Sequence, residues 1–256
     1  MARFDGRIAL VTGGGGGIGR AIAHALAGDG AAVGLVDTRA DGAAKVAAEL
    51  ETLGRRAVGV AGDVTDPVSI RAAAAAVEKA LGPVDILVNN AGIARIGPLL
   101  EVPEKDWHDS FAVNVDGVFH ASRAVMPGMV ARRRGCVVNL ASWLGKRGAA
   151  NYGAYAATKF AVVGFTQSLA FEMAPHGIRV NCVCPGLIVD TEMRRVIDDE
   201  SGRRGLPQAK DRAPGIPLGR VGYPDEVARV VAFLCSDEAS YVTGAAYDIT
   251  GGSWMS

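Results

Sequence analysis

The 256 residues are 49% apolar, enough to bury one sizeable core, and single α/β domains reach this length without splitting, so one domain over 1–256 is expected. Lys plus Arg and Asp plus Glu balance at 27 each, which leaves no overall field to draw the chain to nucleic acid or an anionic membrane; a small molecule is the expected partner. The start, Met1 to Gly6, has no apolar signal core, and no stretch approaches the roughly 18 apolar residues of a membrane span, which predicts a cytoplasmic protein.

In chain order, Ile8 to Val11 is a short β-branched run, apolar on both faces, that reads as a buried parallel strand. It runs into Thr12-Gly13-Gly14-Gly15-Gly16-Gly17-Ile18-Gly19 and a helical pattern over 18–29. Glycines let the backbone turn tightly and approach a pyrophosphate, whose charge is met by the N–H groups and dipole of the following helix. A second strand, Ala32 to Val36, ends at Asp37, twenty residues beyond Gly17. A carboxylate there accepts both ribose hydroxyls of NAD and repels the extra phosphate of NADP, so NAD is favoured. Arg39, two residues on, keeps NADP open, because a guanidinium can meet that phosphate.

Helical stretches over 41–53, 67–81, 103–131 and 155–174 alternate with the apolar runs Ala57 to Val60, Ile86 to Val88, Cys136 to Leu140 and Ile178 to Val183. This alternation predicts an α/β, Rossmann-type, doubly wound parallel sheet with helices on both faces. A last helix near 224–236 precedes a closing strand near 245–249. Residues 190–215 mix charges with Gly202, Gly205, Pro207, Pro214 and Gly215, and read as a mobile lid over a substrate site. Cys136, Cys182, Cys184 and Cys235 lack framework spacing and read as reduced core thiols. His24, His108, His120 and His176 form no ligand cluster, so no metal is expected.

Taking a hydride from a carbinol carbon requires that its hydroxyl lose a proton, so a base must lie within hydrogen-bond reach. Tyr155 fits if a cation stabilises its phenolate, and Lys159, four residues on, shares its helical face. The pair alone is equally a plain amphipathic face. Ser142, which follows the strand ending at Leu140, adds a hydroxyl that can hold the substrate oxygen. Asn114, a short polar side chain among apolar neighbours in Phe111-Ala-Val-Asn-Val, must in any case find a buried partner.

Thr12-Gly-x-x-x-Gly17-Ile18-Gly19, Asp63-Val64, Asn89-Asn90-Ala91-Gly92, Asn114, Ser142, Tyr155-x-x-x-Lys159 and Pro185-Gly186 together resemble the short-chain dehydrogenase/reductase family along almost the whole chain. The resemblance implies that Gly13, Gly17, Ile18 and Gly19 form the phosphate turn and that Asp63 and Val64 hold the adenine. It implies that Asn90, Ala91 and Gly92 line the cofactor, and that Asn114 holds a water linking Lys159 to solvent. Pro185, Gly186 and Ile188 are expected against the nicotinamide carboxamide, with Thr191 reaching the cofactor although it stands one residue later than the family's usual threonine. Pro217 to Arg220, Asp225 to Ala228 and Ser240 to Gly244 look like the family's oligomer-forming end, which implies a homotetramer.

Ile93, Arg95, Trp143, Leu144, Asn151, Tyr152 and the lid are the expected substrate wall, suited to a small or medium alcohol or its ketone. The ending Gly251 to Ser256 is similar to the tails of some polyol dehydrogenases, and equally suits an oligomer contact. The leading expectation is therefore an NAD-dependent dehydrogenase of a secondary alcohol or polyol. A 3-oxoacyl thioester reductase drawing on NADPH and a non-catalytic dinucleotide-binding regulator are the alternatives.

Overall fold

Seven parallel strands run through the computed structural model, which describes residues 2–255: β1 (Ile8–Thr12), β2 (Ala32–Asp37), β3 (Ala57–Ala61), β4 (Ile86–Asn89), β5 (Gly135–Leu140), β6 (Ile178–Pro185) and β7 (Ala246–Ile249). Their order is β3-β2-β1-β4-β5-β6-β7, so the chain reverses direction across the sheet between β1 and β4. Side chains alternate between faces, and both faces are apolar: Ala9 and Val11 of β1 pack on one side, Ile8 and Leu10 on the other.

The first face is covered by α1 (Gly17–Gly28), α2 (Ala40–Thr52) and α8 (Pro224–Cys235), the second by α3 (Pro67–Leu81), α5 (Gly117–Arg132) and α6 (Gly153–Met173). Gly19 shows how closely these layers meet: a Cβ there would lie 2.2 Å from the carbonyl oxygen of Gly13. Crossovers that leave helices on both sides open a crevice at the carboxyl ends of the strands, at the point where strand order reverses. All four cysteines are buried and free. Among the described residues no helix is long and apolar enough to cross a membrane.

Two stretches differ from the expectation. The single helix of 103–131 is three pieces: α4 (Glu104–Phe111), a π-helical turn over Ala112–Asp116, and α5. Gly117 N–H reaches back five residues to the Ala112 carbonyl, and this wider turn carries Asn114. Residues 190–215 also contain regular structure, α7 (Glu192–Arg203) and a 3₁₀ segment at Lys210–Gly215. α7 buries only Ile197 and Ser201, so it lacks the apolar period that marks the other helices. It is held by ion pairs one turn apart, Arg194 to Asp198 and Arg204 to Glu200, and by Thr191, whose hydroxyl caps Arg194 N–H at 3.0 Å.

Candidate active site

A cleft of about 870 Å³ lies over the ends of β1, β4, β5 and β6. Gly13, Gly17 and Ile18 line it, with Gly15 and Gly16 between them. Gly16 stands at the N-terminus of α1 without a side-chain cap, and the first turn carries no acidic residue. Uncapped N–H groups opening on a cleft are the donor set a pyrophosphate needs. Gly19 is buried behind the turn rather than on the cleft wall; its lack of a side chain serves the packing of α1 on Gly13.

The turn is tied to β4 by Thr12, whose hydroxyl accepts from both Asn90 N–H and Ala91 N–H at 3.1 Å. The Asn90 amide donates in return to the Thr12 and Gly13 carbonyls at 2.9 and 3.0 Å. Asn90 therefore spends its side chain on the frame, while its backbone, with Ala91 and Gly92, lines the cleft.

Asp37 closes the far end. Its carboxylate accepts Gly15 N–H at 2.9 Å and Arg39 N–H at 3.0 Å. Arg39 swings away from the cleft floor to Glu192 at the start of α7, 2.5 Å away, which together with Asp37 strengthens its hold on its proton. Asp63 and Val64 line the same end. The Asp63 carboxylate accepts from Thr65 N–H and its hydroxyl, both at 2.8 Å; the cap of α3 is Asp66, three residues later.

At the other end Ser142, Tyr155 and Lys159 converge, 5%, 8% and 3% exposed. Tyr155 lies in the first turn of α6 and Lys159 one turn on, its Nζ 5.6 Å from the Tyr155 ring centroid and donating to the Leu140 carbonyl at 2.7 Å. Ser142 begins a 3₁₀ turn, Trp143–Gly145, that presses on α6 so closely that a Cβ on Gly145 would lie 2.7 Å from the Lys159 carbonyl oxygen. Burial pushes the Tyr155 phenol above its ordinary value; a hydrogen bond from Ser142, then the charge of Arg194, oppose this. Burial pushes the Lys159 amine down to about 8.

Asn114 is fully buried behind these groups and does not line the cleft. It accepts Ile93 N–H at 2.8 Å and donates to the Ile93 carbonyl and to Thr158 at 2.9 and 3.0 Å, so it joins the loop after β4 to α6. Between them Gly92 packs closely: a Cβ would stand 3.2 Å from the Asn114 side-chain oxygen and 3.6 Å from Lys159 Nζ.

Pro185, Gly186 and Ile188 line the cleft beside β6, pinned by Gly186 N–H on Ile249 and by a bridge from Ile188 to Gly222. The extra residue, Asp190, takes a left-handed conformation (φ 59°), and Thr191 still packs over Gly17, at 3.4 Å from where its Cβ would be. Of the expected substrate wall, Ile93, Arg95, Trp143, Leu144 and Tyr152 line the cleft, joined by Met193 and Ile197 of α7. Asn151 does not; it turns left-handed (φ 69°) and gives its carbonyl to Gly97 N–H. Sequence reasoning missed Arg147, and took Arg194 and Arg212 only as part of the lid without singling them out; all three line the cleft. Their only signal was charge in segments without period.

Comparison with known proteins identifies the family and matches the fold. A short chain dehydrogenase family model matches residues 7–202. The chain is 42% identical over 252 residues to the 3-oxoacyl-[acyl-carrier-protein] reductase FabG of Vibrio cholerae, covering 98% of this chain and 99% of that one. It is 40% identical to 2-(S)-hydroxypropyl-CoM dehydrogenase 3 of Xanthobacter autotrophicus, covering 98% and 97%. An NAD⁺-bound xylitol dehydrogenase structure superposes with a TM-score of 0.93 at 33% identity, over 98% of this chain and all of that one.

Proposed function

Because this chain belongs to the short-chain dehydrogenase/reductase family, we propose that it is an oxidoreductase moving a hydride between NAD(H) and a secondary alcohol, polyols included, or the corresponding ketone. The observation that carries the cofactor choice is Asp37. Its carboxylate is fixed at the end of β2 by two backbone N–H groups, where a 2′-phosphate would meet like charge. Gly13, Gly17 and Ile18 are assigned to the pyrophosphate, with Gly19 behind them. Asp63 and Val64 are assigned to the adenine, Asn90, Ala91 and Gly92 to the middle of the dinucleotide, and Pro185, Gly186, Ile188 and Thr191 to the nicotinamide end. The bound dinucleotide would supply the hydride acceptor or donor.

The chain's own chemistry is proton transfer. Tyr155 takes the proton from the alcohol hydroxyl, or returns it to the ketone oxygen, while Ser142 hydrogen-bonds that oxygen and steadies the charge that builds on it. Lys159, with an amine near 8, exchanges protons in the working range. Asn114 fixes the loop and helix that hold Lys159, and a water beside it would connect Lys159 to solvent.

A second reading, a 3-oxoacyl thioester reductase using NADPH, is favoured by the Vibrio cholerae relative and by Arg39, a guanidinium beside Asp37 that pairs with it and with Glu192. A panel of secondary alcohols, polyols and oxoacyl thioesters, followed at the nicotinamide absorbance with each dinucleotide, separates them. Turnover of alcohols with NAD⁺ at least tenfold above NADP⁺ is expected; thioester reduction driven only by NADPH would establish the second reading. Assembly as a homotetramer belongs to the same proposal. Phe119, Phe160 and Phe171, 42%, 47% and 84% exposed, are large apolar side chains that self-association would cover. Light scattering should give four times the 26.4 kDa chain mass.

A further inference from the structure

We infer that the alcohol or ketone carries an anionic oxygen group, a carboxylate or sulfonate, which Arg194 binds together with Arg147 and Arg212 at the substrate end of the cleft. This rests on the proposed alcohol–ketone chemistry and narrows its substrate class.

Charge along the cleft is divided. Asp37 and Asp63 stand at the adenine-ribose end, and Asp190 and Glu192 at the approach to α7, where Glu192 is engaged by Arg39. Beside the apolar wall of Trp143, Tyr152, Tyr155 and Ile197 the cleft is lined by the arginines Arg147, Arg194 and Arg212 and by Lys159, whose ammonium is already engaged by the Leu140 carbonyl. The Arg194 side chain is 13% exposed and Arg212 is partly buried, whereas Arg147 is exposed. The Arg194 backbone is pinned by the Thr191 cap, so the guanidinium is delivered to a fixed place. Asp198 meets only Nη1, at 3.4 Å, and the same carboxylate oxygen accepts Ala209 N–H at 3.0 Å. Arg194 Nε is buried with no hydrogen-bond partner among the described residues. A buried guanidinium donor without an acceptor is costly, and an anionic ligand is the group that completes it.

The Arg194 charge also reaches Tyr155, where it favours the phenolate, which puts the guanidinium near the reacting end. Arg147 is held between two indoles, 5.5 Å from the Trp143 ring and 5.0 Å from the Trp254 ring. Stacking fixes the plane of its fork while leaving its edge free for an oxyanion. Arg212 spends Nε on the Pro207 carbonyl. Neither Arg147 nor Arg212 has a carboxylate within 4.0 Å among the described residues, whereas Arg95 pairs with Asp106 at 3.5 Å. Three guanidiniums with spare donors beside a hydrophobic wall select a ligand with an anionic head and a short apolar body.

The test uses matched ketones with the carbonyl two to four bonds from a carboxylate, from a sulfonate, or from the methyl ester of the same acid. For each, NADH-dependent kcat/KM and binding to the enzyme–NAD⁺ complex by calorimetry are measured, in the wild type and in Arg194→Met. The expected result is a preference for at least one anionic series over its ester of about tenfold or more in both measurements, the span of a charge-assisted hydrogen bond. That ratio should collapse toward one in Arg194→Met. Any effect of Arg194 on Tyr155 acts on acid and ester alike, so it cancels in the ratio. Equal binding of anions and esters by the wild type would overturn the inference, and so would a variant that loses affinity for NADH with the ratio unchanged, since Arg194 would then serve the dinucleotide. Anion-selective binding without NADH-dependent reduction of any ketone would instead overturn the proposed reaction and leave the anion site standing.

Discussion

Along the dinucleotide half of the cleft, backbone does most of the holding: glycine N–H groups at the start of α1, a turn zipped to β4 by Thr12 and Asn90, and one carboxylate, Asp37, itself fixed by backbone donors. Along the substrate half the work falls to side chains from separate segments, Ser142 from the end of β5, Tyr155 and Lys159 from α6, Arg194 and Met193 from α7. The first half is built of contacts between neighbours in sequence or adjacent strands. The second exists only once three distant segments have packed. A change in the first should therefore alter which dinucleotide binds and spare the proton chemistry, and a change in the second should do the reverse.

The sharpest test of that division is Tyr155→Phe. Turnover should fall by at least about a hundredfold, while NADH affinity, followed by fluorescence titration, stays within about twofold. A matching loss of NADH affinity would erase the distinction between the halves. Ser142→Ala should cost about tenfold to a hundredfold and also move the pH dependence. The Ser142 hydrogen bond opposes the upward push of burial on the Tyr155 phenol, so without it the alkaline rise in alcohol oxidation should shift to higher pH. Arg194→Met should shift it in the same direction by less, because the contribution of Arg194 is the smaller of the two.

From the other half, Asp37→Ala should raise the NADP⁺-to-NAD⁺ ratio of kcat/KM by about tenfold, one removed like-charge contact, with little change in turnover at saturation. An unchanged ratio would move the discrimination to Arg39 and its pairing with Glu192.

The smallest effect concerns stability. The Lys159 amine sits near 8 in the fold and near 10.5 when unfolded, so the unfolded chain binds more protons between these values. Burying Lys159 charged therefore costs stability below about pH 8, a cost relieved as pH rises toward 10.5. Lys159→Met, inactive, should melt several degrees above the wild type at pH 7, with the gap closing above pH 10 in calorimetry. A gap that widened with pH would reverse the sign.

What was legible in the sequence follows the same line. Six of the seven helices of twelve or more residues and all seven strands were marked by a period, by a β-branched run or by glycine, because a buried face repeats every 2 or 3.6 residues wherever it packs. The π turn at Asn114 escaped, since one added residue in a helical ladder leaves the apolar pattern nearly intact. α7 escaped because its stability comes from a cap and ion pairs rather than from an apolar face.

By itself the sequence determined the doubly wound sheet, the glycine turn, the carboxylate after β2 and the Ser142, Tyr155 and Lys159 set, all of which are local patterns or fixed spacings. Only the tertiary structure decided that Asn114 is tied to Ile93 and Thr158, that Arg39 reaches across to Glu192, and that the arginines of α7 and of the turn after β5 line one cleft. These are charges and hydrogen bonds between segments from 21 to 153 residues apart, and a one-dimensional period carries no record of which distant side chain a polar group will meet.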